Sequence, residues 1–142
     1  MLAKMLAKGS AWAALPLRLA LAAVFIAHGG QKLFGLFGGQ GLHTTAENFE
    51  KMGFHPGLLW AALAAGAEFF GGACLLLGFL TRYAALAIAV TMTVAVVKVH
   101  WAGGFFLPRG LEYPLTLGCA ALAVLLLGPG QLSVDRALKM DQ

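Results

Sequence analysis

Four stretches of this chain are each long and apolar enough to cross a lipid bilayer, and no other feature limits its possible folds so strongly. A hydrocarbon core about 30 Å thick takes about 20 apolar residues in a helix that rises about 1.5 Å per residue. The stretches run from about Pro16 to Phe34, Gly57 to Leu80, Tyr83 to Trp101 and Tyr113 to Gly128. Backbone groups in hydrocarbon must bond within their own segment, so each stretch is read as a helix. Composition agrees, because 60% of the 142 residues are hydrophobic and 11% charged, against roughly 45–50% and 25% in soluble domains. So few charges cannot clothe a soluble globule, and a chain this apolar is not a disordered one. The expected fold is all-α, a single domain over residues 1–142. It is a four-helix transmembrane bundle with a short amphipathic helix in the first outer loop.

Pro16 and Pro114 suit first helical turns, and Gly128-Pro129-Gly130 reads as a stop. Arg18 falls just inside the first span, where its guanidinium is expected to snorkel outward. Lys4 and Lys8 precede an apolar run as in a cleaved leader, yet Arg18 interrupts that run and no small-x-small pattern follows Ile26. The segment is therefore taken as a span. With the amino terminus inside, Lys4, Lys8, Arg18, Arg82, Arg136 and Lys139 lie on the inner side. Lys32, Lys51, Lys98 and Arg109 lie on the outer side, and this bias places both termini in the cytoplasm. Thr81-Arg82 leaves almost no connection between the second and third spans, which must form a tight hairpin. The net charge of +4 comes from basic residues scattered singly, a pattern that fits anionic headgroups and not nucleic acid.

Between Gly35 and Pro56, a glycine-rich stretch gives way to Thr44-Thr45-Ala46-Glu47, which reads as a capping box opening a helix. Ala46, Phe49 and Met52 share one face of it and Glu47, Glu50 and Lys51 fall elsewhere, so it should lie along the outer interface. Residues 1–15 have a similar cast, with Trp12 as an interfacial anchor.

Ionisable groups inside a span are costly against lipid and normally face a bundle interior. Glu68 lies eleven residues past Gly57, about 16 Å deep and near the midplane. Its side of the helix carries Ala61, Ala64, Ala65, Gly71 and Gly72, with Leu59, Leu63, Phe70 and Leu77 opposite. Small residues admit a neighbouring backbone, so Glu68 should point inward. His28 has a comparable depth, and Gln31, Lys32 and Gly35 continue its face outward. Lys98 shares a face with Ala84, Ala87 and Thr91, whereas His100 projects elsewhere unless the helix frays. Glu112 stands at the outer mouth of the fourth span. The candidate catalytic residues are thus Glu68 and His28, and the candidate ligand-binding residues are Lys32, Lys98, His100 and Glu112. Together they would line a polar pocket opening outward, with nothing comparable in the inner half. The plainer alternative is that Glu68 pairs with Lys98, Lys32 or His28 only to fix packing and register. No E-x-x-H or H-x-x-H spacing supports a metal, and no haem, flavin or iron–sulfur ligand set is encoded. Cys74 and Cys119 sit at different depths, about 25 Å and 9 Å from the outer starts of their spans, too far apart to pair.

The order of these residues is similar to that of the DoxX family. Arg18-Leu19, then His28-Gly29-Gly30-Gln31-Lys32-Leu33-Phe34-Gly35 and Phe37-Gly38-Gly39, resemble its first span and outer loop. Further likenesses are Glu68-Phe69-Phe70-Gly71-Gly72, Leu80-Thr81-Arg82 and His100 followed by Gly104-Phe105-Phe106. Gly110-Leu111-Glu112-Tyr113, and Gly128-Pro129-Gly130 with Ser133 and Asp135, complete the set over about residues 16–136. The resemblance implies a small four-helix protein of the bacterial inner membrane. Family members look like subunits of membrane redox assemblies, including quinone-linked thiosulfate oxidation and complexes for oxidative or thiol stress. By position, His28, Lys32, Glu68, Arg82, His100, Glu112 and Tyr113 occupy motif sites, with Arg82 a topological anchor. The function expected is a redox subunit whose outward pocket takes a quinone or small sulfur compound, with electrons carried by a partner protein. A non-catalytic scaffold, docking a protein partner or a second copy, is the alternative. A small transporter is weaker, for the sequence shows no inverted repeat.

Overall fold

The computed structural model describes residues 2–140, with side chains from Trp12 onward. The described chain is helical throughout, as α1 (Leu2–Phe34), α2 (Gly41–Lys51), α3 (Gly57–Leu77), α4 (Thr81–Val94), α5 (Glu112–Leu127) and α6 (Val134–Ala137). Three helical stretches are long and apolar enough to cross a membrane, Trp12–Phe34, Gly57–Leu77 and Thr81–Gly103. Helix α5 is equally apolar but has 16 residues, about 24 Å at the helical rise and short of a full hydrocarbon thickness.

The boundaries differ from expectation in ways that follow from local chemistry. Pro16 lies inside α1 and does not open it. The alanine- and leucine-rich sequence around it is strongly helix-forming, and the helix continues through the proline despite the lost backbone bond and the crowding of its ring. The side chains of Lys4 and Lys8 fall outside those described. Helix α2 starts at Gly41, so no capping box opens it. Thr45 is already helical and its hydroxyl donates back to Gly41 O at 2.7 Å. Helix α3 ends at Leu77 because Gly78 takes a left-handed conformation, letting Phe79 N reach Cys74 O and Gly78 N reach Leu75 O. Beyond Val94 the third span changes winding, with an i→i+5 turn over Ala95–His100 and a tight turn over Trp101–Gly103.

Helices α1 and α3 run antiparallel at close range. A Cβ on Gly29 would strike the backbone of Phe69, and one on Gly72 would strike Ile26. Glycine at these two crossings therefore sets the spacing of the pair. Leu21 and Phe25 of α1, Leu75 of α3, Ile88 and Met92 of α4 and Val124 of α5 form the buried core between the helices.

The end of the bundle where α3 and α5 finish and α4 starts holds a polar knot that contradicts the expected empty inner half. Arg18 does not snorkel, for it is fully buried. Its guanidinium donates to Leu75 O at 2.9 Å and Leu76 O at 3.3 Å, carbonyls of the last turn of α3. It also donates to Pro129 O at 2.7 Å and to Gln131 O and Leu132 O at 3.3 Å, just past α5. The negative ends of two helices thus converge on one cation. Asp135 completes the knot, accepting from Leu80 N at 2.7 Å and Thr81 N at 2.8 Å and so capping α4 from a distant part of the chain. Arg82 lies outside this knot and donates to Leu125 O.

Substituting Arg18 by Met should therefore cost about 3 kcal/mol or more, because buried carbonyls lose charge-assisted partners that nothing replaces. Unfolding in mixed detergent micelles measures this, and a loss of under about 1 kcal/mol would contradict the role given to the guanidinium.

Candidate functional site

At the opposite end, Glu68 is buried, 2% exposed, on the small-residue face of α3. Its partner is Lys32 of α1, whose Nζ donates to Oε1 at 2.5 Å and Oε2 at 2.6 Å. Helical side chains lean toward their own N-terminus. In an antiparallel pair, Lys32 therefore leans down α1 while Glu68 leans up α3, and the two charged ends meet between the helices. The two partners are not equally hidden. The Lys32 side chain keeps 33% of its surface and that of Glu68 only 3%. An ammonium has three N–H groups, so one donor remains after both carboxylate oxygens are served.

That face of the pair lies at the wall of a cavity of about 810 Å³. Gln31 and Lys32 supply its back, while α3 contributes Trp60, Leu63, Ala64 and Ala67 beside Glu68. Helix α4 contributes Ala87, Val90, Thr91 and Val94, and Thr45, Asn48, Phe49 and Met52 of α2 cover it. His100 joins them from the i→i+5 turn. Its Nδ1–H donates to Ala95 O at 3.0 Å, which fixes the tautomer and leaves Nε2 as the acceptor of a neutral ring.

Of the six candidates read from sequence, Glu68, Lys32 and His100 come together around this space, and the other three do not. His28 is exposed and turns toward α5, its ring centroid 6.4 Å from that of Tyr113. Gly29, one residue on, is what meets α3, and the helical step carries His28 off that face. Lys98 is exposed and absent from the cavity wall, unlike Thr91 and Ala87 with which it was expected to align. The extra residue per turn beyond Val94 rotates Lys98 away and brings His100 in. Glu112 clamps a loop instead, Oε1 accepting from Leu107 N at 2.6 Å. Among the described residues no cluster of three or more His, Cys, Asp or Glu could hold a metal ion, and both thiols are free. The cavity wall from α2, Asn48 above all, was not anticipated, because nothing local in the sequence says which way that helix folds over the bundle.

The cover is pinned by its own hydrogen-bonded joint. Glu50 Oε1 accepts from Gly57 N at 2.5 Å, and Oε2 meets His55 Nδ1. The Gly57 amide and then the His55 contact hold the Glu50 carboxyl below its ordinary pKa. A carboxyl with a lower pKa folded than unfolded adds stability above its unfolded value, and that stability is lost as pH falls through the folded one. Acidification through the carboxylate range should therefore loosen the joint between α2 and α3. Hydrogen exchange at the Gly57 amide should accelerate relative to its intrinsic rate in wild type, while in Glu50→Gln this pH response is absent.

The unequal burial of the pair gives a second test. Lys32→Met strands a buried carboxylate and should destabilise by about 3 kcal/mol, more than Glu68→Gln, which leaves a lysine that can reach the open cavity. The double variant Lys32→Met/Glu68→Leu should recover much of the loss. Equal single-variant costs with simple additivity would contradict the pairing.

Comparison with protein families matches residues 13–101 to the DoxX family. No curated protein and no solved structure matches the chain. The family match takes in more than half of the sequence and includes Arg18, Lys32, Glu68 and His100. With its long apolar helices, the chain is thus a membrane protein and belongs to the DoxX family.

Proposed function

We propose that this protein is a subunit of a membrane redox assembly, whose cavity binds a quinone or small sulfur compound on the Lys32–Glu68 pair. The observation that carries the reading is the ion pair itself. It stands at the wall of a space of about 810 Å³, within the roughly 300–1,000 Å³ of small-molecule sites, and it keeps one ammonium donor to spare. The donor set fits a carbonyl-bearing ring. Lys32 Nζ offers an N–H to an accepting oxygen, and Nε2 of His100 can accept a proton. Glu68 holds the ammonium in place. When bound, a quinone supplies a two-electron, two-proton couple. The electrons come from a partner protein, since the sequence encodes no haem, flavin or iron–sulfur ligand set.

The same reading sets the chain in a bacterial inner membrane with α5 as a fourth crossing. Both termini are cytoplasmic, and α2 lies along the outer interface. His28, Lys98 and Glu112 are left out of this site on the geometry above.

A scaffold reading has one observation in its favour, that Lys32 already serves both oxygens of Glu68. Quinone-dependent electron transfer with copurified partners separates the two. Glu68→Gln should lower kcat/KM by about tenfold or more, equivalent to ~1.4 kcal/mol of transition-state stabilisation. Unchanged rate and quinone affinity per complex, with only the yield of complex reduced, would overturn the redox role and leave the pair as a packing device.

A further inference from the structure

We infer that the ligand of this cavity is a tailed, membrane-dissolved molecule that reaches it sideways, through the gap between α3 and α4. The inference rests on the cavity being a ligand site and adds which of the two ligand classes it takes. Near their tight connection the two helices touch, with Gly71 against Ile88. Toward the other end they are parted by the cavity, one stripe of α3 facing one stripe of α4 across it. Leu63 and Val90 belong to those stripes, yet they remain 56% and 55% exposed. Both lie within spans long and apolar enough to cross a membrane, so whatever part of that surface faces out of the cavity meets hydrocarbon. The mouth is therefore apolar and the charged pair is at the inner end.

That polarity selects a ligand. A small sulfur oxyanion would have to shed its water along a wall of Leu63, Val90, Val94 and Val99 before meeting Lys32, at a cost of several kcal/mol. An alkyl or isoprenoid tail loses nothing by staying beside the same residues, because it passes from lipid to an equally apolar groove. From above, Phe49 of α2 and Met52 just past it cover the space beside the polar Gln40, Thr45 and Asn48. A polar ring with its tail trailing into the bilayer satisfies both ends at once.

Trp60 lines the cavity and reports on it by its emission. The protein in lipid nanodiscs is titrated with a benzoquinone bearing a decyl tail and with the same ring untailed, each referred to its free aqueous concentration. The tailed quinone should quench Trp60, with the signal absent from Trp60→Phe, and should bind about tenfold tighter than the untailed one, a difference of ~1.4 kcal/mol. Val90→Trp, which narrows the gap, should remove that advantage. Leu126→Trp, on an exposed part of α5 away from the cavity, should not. Equal affinities for the two quinones, unaltered by Val90→Trp, would overturn sideways access while leaving the site. Failure of both quinones to quench would remove the site and this inference with it. Emission that follows protein concentration and ignores quinone would show the gap filled by a second copy, which also overturns the assignment.

Discussion

A carboxylate kept ionised half-way along an oily helix must have a cation, and the Lys32–Glu68 pair determines much of what surrounds it. Desolvating Glu68 without a partner would cost several kcal/mol. The partner has to come from a neighbouring helix brought close, which is what Gly29 and Gly72 permit at the α1–α3 crossing. Once the two charges meet, the register of α1 against α3 is set, because a slip by one residue would separate them. The pair thus joins sequence, packing and site in one contact.

Arg18 obeys the same constraint at the other end by a different route. It makes no ion pair among the described residues and instead gathers five backbone carbonyls from the end of α3 and the chain after α5. Asp135, nearby, does the converse and collects two backbone amides at the start of α4. One end of the molecule is closed by a dense set of hydrogen bonds to backbone. The other holds an ion pair with donor capacity left over. A rigid closed end and a polar, partly open end are a suitable division for a protein that must hold a ligand without coming apart.

Much of this was legible in the sequence and the failures have physical causes. Helix positions followed from apolar length, and the inward aim of Glu68 followed from Ala61, Ala65 and Gly72 on its face. The pairing of Glu68 stayed open among Lys32, Lys98 and His28, since spacing fixes angle on one helix but not the approach of another. Lys98 and His100 exchanged roles because a change of winding after Val94 has no strong sequence signature. Arg18 was misread as an interfacial anchor. Its acceptors are backbone atoms that no residue name announces. Gly78 was the available clue, for a side chain there would collide with the guanidinium.

The most direct measurement is the dipolar coupling between 15Nζ of Lys32 and the carboxyl 13C of Glu68, by solid-state magnetic resonance in lipid bilayers. A strong coupling, consistent with a nitrogen–oxygen separation within about 4 Å, is the result this account predicts. A coupling too weak to detect, with Glu68 protonated and the lysine amine mobile in water, would contradict it.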